Sequence, residues 1–137
     1  MPRLDFRPEN DGPIYDGLAD FLPDAVFDAH VHTALPEHIG SVSEERRNSG
    51  LSFFLDAASI FDYGSFDFFQ TAHQTLFPQQ KIEALLFGYP FRETNLDANN
   101  AYVLGLIRRY GVKALYLTRP DAGRDELEGA LDRGFIG

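Results

Sequence analysis

Hydrophobic and polar positions alternate along one segment near the start of the chain, while two later segments are mostly apolar. Residues 25–33 (AVFDAHVHT) alternate as in a β-strand, with His30 and His32 on one face and apolar side chains on the other. The runs Lys81–Tyr89 and Val112–Thr118 are mostly apolar, which is typical of strands covered on both faces. These segments predict three strands of a largely buried sheet.

Helical segments separate and follow these strands. The predicted helices cover 66–77, about 95–110 and 124–133, with a further helix beginning near Ser43. Ser65 is a suitable N-cap for the first of them, and Gly111 occupies the position of a C-terminal glycine in the second. Because strands and helices alternate, the order predicts an α/β fold with a parallel sheet.

The pattern also divides the chain. Residues 1–24 are rich in Pro, Gly and Asp, and they predict an N-terminal arm or loop with room for a helical turn over 17–22. Residues 25–137 then form one domain, in which Phe135–Gly137 is interpreted as the opening of a fourth strand. No glycine-rich phosphate-binding motif follows a predicted strand, which argues against dinucleotide-binding and P-loop folds.

Composition narrows the classes of partner and site. The chain has 137 residues, of which 44% are hydrophobic, enough for one globular domain. Its 21 acidic and 12 basic residues give a net charge of −9, which argues against nucleic-acid and anionic-membrane binding. The absence of cysteine leaves His, Asp and Glu as the possible metal ligands. Without a signal peptide or an apolar stretch of about 20 residues, a cytoplasmic location is expected.

The motif His30-Val31-His32 is the main candidate for chemistry. Two imidazoles at this spacing leave the same strand face a few ångströms apart, so a divalent cation can bind both, Zn²⁺ most readily and Mn or Fe as alternatives. Asp28 lies two residues before His30 on the same predicted face, and its carboxylate is expected to orient one of the metal-binding histidines. The alternative is that the pair is incidental on a solvated strand face.

Other polar residues were weighed for roles around this motif. Arg92 follows the second predicted strand and could bind a substrate carboxylate, although a salt bridge with Glu93 or Asp97 is the simpler interpretation. His38 is expected to be an exposed loop histidine. His73 is expected at the edge of the core, on a helix rich in Phe.

At these residues a family resemblance becomes specific. The segment Phe27–Thr33 (FDAHVHT) resembles the first-strand signature of the amidohydrolase superfamily. Three later segments are similar to its amidohydrolase-2 branch, namely Leu86–Phe91, Asp97–Val103 and Gly111–Tyr116. The resemblance implies a metal-dependent (β/α)8 TIM barrel, of which this chain would supply the first three βα units and the start of the fourth strand.

The resemblance also implies an activity. His30 and His32 match the pair that binds the buried metal in that family, whose members use metal-activated water against a C–N or C–O bond, or catalyse a non-oxidative decarboxylation, on small-molecule substrates. The family's further ligands and its general-base Asp have no counterpart in this chain. A TIM barrel needs about 250 residues, so the chain is expected to be an inactive N-terminal fragment or to assemble with a partner, possible homo-oligomers included.

Two other interpretations stay open. A small α/β binding or interaction module would use the histidines at a partner interface or not at all. A phosphoesterase of the polymerase-and-histidinol-phosphatase type also opens with an HxH motif, and it would need further His and carboxylate ligands downstream.

Overall fold

The computed structural model describes residues 8–48 and 64–137, which form a mixed α/β arrangement around a three-stranded parallel sheet. The strands lie in the order β1 (Ala25–His32), β2 (Lys81–Phe87) and β3 (Lys113–Ala114). The helices are α1 (Pro8–Ala19), α2 (Glu44–Arg47), α3 (Phe66–Leu76), α4 (Leu96–Tyr110) and α5 (Arg124–Asp132), and a 3-10 turn covers Pro36–His38. The α/β class and the parallel pairing are therefore confirmed. Within the described residues no helix is long and apolar enough to span a membrane.

The main helices begin and end where local chemistry predicts. The Ser65 hydroxyl accepts the Phe68 backbone N–H at 3.1 Å at the start of α3, and the Asn95 side chain accepts the Ala98 N–H at 3.1 Å at the start of α4. Gly111 ends α4 with φ +66°, a left-handed conformation that glycine adopts without a Cβ clash. Capping residues thus position α3 and α4 beside the sheet.

The N-terminal region differs from its prediction. A helix of 12 residues, α1, stands where an arm or loop was expected, and it contains Pro13. Its described side chains Ile14 and Leu18 are exposed, and the Tyr15 hydroxyl donates a hydrogen bond to the Gln80 side chain at 2.9 Å. Because its Pro, Gly and Asp content obscured any helical period, the sequence argued against a helix here.

One side of the sheet, the covered face, is packed against helices. Its buried strand residues are Val31, Ala84, Leu86 and Ala114, which form one cluster with Phe66 of α3, Val103 and Leu106 of α4, Ala130 of α5, and Phe135. Leu86 is 0% exposed at the centre of this cluster. Phe66 is 3% exposed within this core, while Phe53, Phe54 and Phe61 lie outside the described residues.

The other side, the open face, carries Phe27, Glu83, Leu85, Phe87 and Lys113 together with His32. These residues alternate in β2 and β3 with the buried ones, and the register pairs Phe27 with Glu83, Leu85 with Lys113 and His32 with Phe87. Among the described residues none of them belongs to the core cluster, and Phe27 is 48% exposed. The sheet therefore has one packed face and one that carries polar and aromatic side chains.

A β-bulge in β1 determines which residues reach the open face. Asp28 pairs with Ala84, but Val31 pairs with Leu86, so the two residues between them in β1 oppose one residue in β2. Asp28 lies on the covered face with Ala84, and the bulge that follows it turns the two histidines to the open face. The expectation that Asp28 shares a face with the two histidines is therefore wrong, because it assumed an unbroken alternation.

The end of the described chain runs beside β3. The Ile136 N–H donates to the Ala114 carbonyl at 2.9 Å, and the Tyr116 N–H donates to the Gly137 carbonyl at 2.7 Å. Residues 135–137 are not assigned to a strand, but these bonds place them along β3, on the side away from β2. The predicted fourth strand corresponds to this segment.

Candidate functional site

The two histidines of the HxH motif meet at the C-terminal end of β1. Their Nε2 atoms lie 3.3 Å apart, and the ring centroids are 5.0 Å apart in an edge-to-face arrangement. Both rings also lie edge-to-face on Phe87 of β2, with centroid distances of 5.0 Å for His30 and 4.5 Å for His32. The pair is therefore held at one point on the open face.

The orientation of the His32 ring follows from one hydrogen bond. Its Nδ1 lies 2.8 Å from the backbone carbonyl of Gly88, and since a carbonyl only accepts, Nδ1 carries the proton. The Nε2 lone pair is then directed at His30. Burial lowers the pKa of His32, the bond to Gly88 opposes this, and the nearby His30 lowers the pKa further. The net effect favours the neutral imidazole, the form in which histidine binds metals.

Tyr89 stacks on the His32 ring on the side of the loop that follows β2. The two rings are nearly parallel, at 13° with centroids 5.0 Å apart, and Tyr89 stacks in turn on Phe91 at 5.2 Å. Burial raises the pKa of Tyr89, so its hydroxyl stays protonated at neutral pH. The ladder of rings restricts the His32 side chain to one orientation.

Asp28 supports the site through the backbone and not through either imidazole. One carboxylate oxygen accepts the His30 N–H at 3.1 Å, at the bulge where that group has left the regular ladder. The other oxygen lies 3.4 Å from Nε2 of His73 on α3. The His73 side chain is 21% exposed, at the edge of the core as expected. Asp28 therefore stabilises the bulge that turns His30 toward His32.

The separation of the two Nε2 atoms fits a shared metal ion. Two nitrogens that each lie about 2.0–2.1 Å from a tetrahedral zinc are about 3.3–3.4 Å from one another. The 3.3 Å between His30 and His32 agrees with this value, and it also suits a hydrogen bond between the two rings whose direction depends on their tautomers. Within the described residues, however, no group of three or more His, Cys, Asp or Glu is placed to hold a metal. These residues offer two ligands.

The ends of β1 and β2 are fastened together beside the histidines by buried polar groups. The Thr33 N–H donates to the Phe87 carbonyl at 2.8 Å, and the Thr33 hydroxyl donates to the Gly64 carbonyl at 2.9 Å. The Asn99 side-chain amide of α4 donates to the Thr33 carbonyl at 3.0 Å. Thr33 and Asn99 are both buried. These bonds fix the backbone immediately after His32.

The neighbouring Asn100 fastens the end of β3 in the same way. Its amide donates to the Leu117 carbonyl at 2.7 Å, and its side-chain oxygen accepts the Leu117 N–H at 3.1 Å. Both backbone groups of Leu117 are thereby used by a side chain. This explains why the strand predicted over 112–118 is assigned only at Lys113–Ala114.

The loop after β1 packs against α4 and buries a histidine. His38 is 6% exposed, its Nδ1 accepts the Leu35 N–H at 3.1 Å, and its ring lies 5.5 Å from that of Tyr102. The expectation that His38 is an exposed loop residue is therefore wrong. Its ring packs against Tyr102 of α4, and among the described residues its side chain bonds to the Leu35 backbone and not to the histidine pair, so it stabilises the loop.

The candidate for substrate binding lies on an exposed surface. Arg92 is exposed in the loop after β2, while Glu93, one of its expected partners, forms a two-pronged ion pair with Arg46 at 2.9 and 3.3 Å. The Arg46 guanidinium lowers the pKa of Glu93 mainly through this hydrogen bond. A role of Arg92 in substrate binding stays a prediction.

A cleft of about 640 Å³ elsewhere in the molecule does not include the histidine pair. Phe69, His73 and Tyr110 contribute to its lining, together with Lys81 at the start of β2. It therefore lies toward the N-terminal ends of β2 and β3, whereas the histidines occupy the C-terminal end of β1. Among the described residues, His30 is exposed and His32 is partly buried, and neither lines this cleft.

Sequence reasoning missed Gly88, Asn99 and Asn100. One signal for the asparagines was available, because two consecutive Asn residues in an otherwise apolar helical stripe are unfavourable for helix formation unless their side chains bind something. Nothing comparable marked Gly88. No protein-family model, characterised protein or solved structure matches this chain, so its function is inferred from the geometry of the site.

Proposed function

We propose that the chain is the N-terminal part of a metal-dependent hydrolase of the amidohydrolase type that acts on a small-molecule substrate. The observation that carries this proposal is the 3.3 Å separation of the His30 and His32 Nε2 atoms, which suits two ligands of one tetrahedral metal ion. Zinc is the preferred ion for neutral imidazoles, with manganese or iron as alternatives.

Each residue of the site has a separate role in this proposal. His30 and His32 hold the metal. The Gly88 carbonyl fixes the His32 tautomer, and Asp28 holds the His30 backbone at the bulge. When bound, such a metal lowers the pKa of water toward neutrality and polarises a carbonyl or carboxylate oxygen, which serves hydrolysis of a C–N or C–O bond or a non-oxidative decarboxylation.

The proposed fold is the first part of a (β/α)8 barrel. Two features support it: the described helices that pack on the sheet cover one face, and the histidines occupy the C-terminal end of a strand, where barrel active sites collect. In this arrangement the open face lines the barrel interior. The remaining ligands and the general base would come from later strands, so this chain alone is expected to bind metal weakly and to be inactive.

Zinc titration of the purified chain tests the proposal. Calorimetry should detect one zinc ion per chain, and His30→Ala and His32→Ala should each abolish the binding because one imidazole is too few ligands. His73→Ala is the control, since it removes an imidazole that lies on the covered side, away from the pair, and it should leave zinc binding unchanged.

Two results would contradict the metal site. Wild-type protein that binds no zinc at millimolar concentration would favour an interaction module in which the two histidines bond only to each other. Zinc binding that survives the double substitution would place the metal elsewhere. Hydrolysis of phosphate esters by a longer form of the protein, with no hydrolysis of amides or lactones, would favour the phosphoesterase interpretation instead.

A further inference from the structure

Asn99 is a buried polar residue whose hydrogen bonds are incomplete. It lies in the first turns of α4 with 1% of its surface exposed, and its amide donates to the Thr33 carbonyl at 3.0 Å. Its side-chain oxygen is buried and has no hydrogen-bond partner. A buried acceptor without a hydrogen-bond partner destabilises the fold. The burial of the Asn99 oxygen therefore needs a reason other than a hydrogen bond of its own.

The unpartnered oxygen lies against Gly88. A Cβ atom built on Gly88 would be only 1.8 Å from the Asn99 oxygen, so the backbone of the β2 end packs directly on this side chain. The Gly88 carbonyl is the group that binds Nδ1 of His32 at 2.8 Å. Asn99 therefore contacts the residue that follows His32 and also the residue that orients the His32 ring.

We propose that Asn99 is a positioning residue for His32. Its amide fixes the Thr33 backbone and its side chain packs on Gly88, so the ends of β1 and β2 stay at the separation that the bond from His32 to Gly88 needs. The ring then keeps its proton on Nδ1 and its Nε2 lone pair toward His30. The consequence for metal binding rests on the proposed function, whereas the effect on the ring does not.

Asn100 provides a matched control on the same helix. It is also buried and also binds backbone groups through its amide, but its partner is Leu117 at the end of β3. Loss of either amide removes hydrogen bonds from the N-terminal part of α4 and should destabilise the fold. Only the loss of the Asn99 amide should change the tautomer of the His32 ring.

The test measures the tautomer of His32 in metal-free protein by long-range ¹H–¹⁵N correlation NMR above the titration range of histidine. Wild-type protein should show the Nδ1–H form. Asn99→Ala should shift His32 toward the Nε2–H form that a neutral histidine side chain in water favours, while Asn100→Ala keeps the wild-type spectrum of this ring. Asn99→Ser, which loses less volume, gives the same comparison if the alanine variant does not fold.

An unchanged His32 tautomer in folded Asn99 variants would overturn the proposal, and so would an equal shift in Asn100→Ala, which would indicate a general structural effect. Zinc titration of the same proteins then separates the two proposals. Loss of the support for Gly88 should weaken zinc binding roughly 10–100-fold in Asn99→Ala and leave Asn100→Ala near wild type. If no protein binds zinc but the tautomer shifts, the metal proposal fails and the positioning role stands.

Discussion

The covered and open faces of the sheet use the same three strands but differ in what their side chains contact. On the covered face Leu86 and Ala114 are both 0% exposed and pack with residues from three helices. On the open face Phe27 is 48% exposed, and the contacts are between aromatic rings, a histidine pair and charged groups. Apolar burial, the main source of folding free energy, is thus concentrated on one face, which leaves the other available for polar chemistry.

The open face itself divides along the strands. Near the N-terminal ends, Lys81 and Glu83 form an ion pair at 2.7 Å, and the Lys113 ammonium lies 5.2 Å from the centre of the Phe27 ring. At the C-terminal end of β1 the only described ionisable pair is His30 with His32. The difference separates a solvated charged surface from a point where two imidazole nitrogens lie 3.3 Å apart, and the candidate site is placed at this end for that reason.

The largest expected effect tests the difference between the faces in one strand. Leu86→Ala should cost about 2–5 kcal/mol of unfolding free energy, because it opens a cavity in the helix-packed cluster. Leu85→Ala removes the same atoms from the open face and should cost under about 1.5 kcal/mol, since less area leaves water on folding. Urea unfolding measures both. Equal losses of unfolding free energy would mean that the open face is packed as tightly as the covered face, which would contradict the difference between the two faces.

A smaller effect is expected at the junction between the faces. Gly88→Ala places a methyl group into the Asn99 oxygen and should destabilise the protein by about 1–3 kcal/mol. The double variant Gly88→Ala/Asn99→Ala should cost less than the sum of the two single changes, because the clash is gone. Additive losses at Gly88 and Asn99 would show that they are not in contact.

Gly105→Ala, whose Cβ would meet no neighbouring atom, should instead stabilise α4 by about 0.5–1 kcal/mol.

Most of the covered face could be predicted from the sequence, because its signals are local. Its elements and their order were predicted from the alternation along β1, the apolar run of β2, the Ser65 cap and the C-terminal Gly111. The period of two alone could not reveal the bulge before His32, since a bulge depends on how β1 meets β2. α1 was missed for a different reason, because its composition resembles that of a loop.

The candidate site could be predicted only in part. The HxH spacing predicted that the two imidazoles lie a few ångströms apart, because both leave the end of one strand, and their Nε2 atoms are 3.3 Å apart. The partners that orient them, Gly88 and Asn99, are distant in sequence, and their roles arise from the packing of α4 against the strand ends. Asp28 was identified, but it contacts the His30 backbone and the His73 ring, and neither imidazole of the pair.

The smallest effect concerns the pH dependence of stability. Burial lowers the pKa of His38, an effect that the nearby Glu37 partly opposes, and its Nδ1 accepts the Leu35 N–H. Protonation is therefore less favourable in the folded state than in the unfolded state. The stability that neutral His38 contributes is complete above its unfolded pKa of about 6.5 and is lost as the pH falls through the lower folded pKa.

His38→Asn tests this dependence, because the Asn side-chain oxygen can accept the same N–H but does not titrate near neutrality. The wild-type free energy of unfolding should fall between pH 7 and pH 5, and this one group contributes a slope of at most about 1.4 kcal/mol per pH unit. The variant should lose that part of the slope, as measured by urea unfolding at several pH values. Since His38 packs against Tyr102 of α4, a smaller slope in the variant would show that mild acid acts on the helix-packed side of the molecule as well as at the histidine pair. An unchanged slope would assign the sensitivity to other groups, among which His32 has a pKa lowered by burial in the same direction.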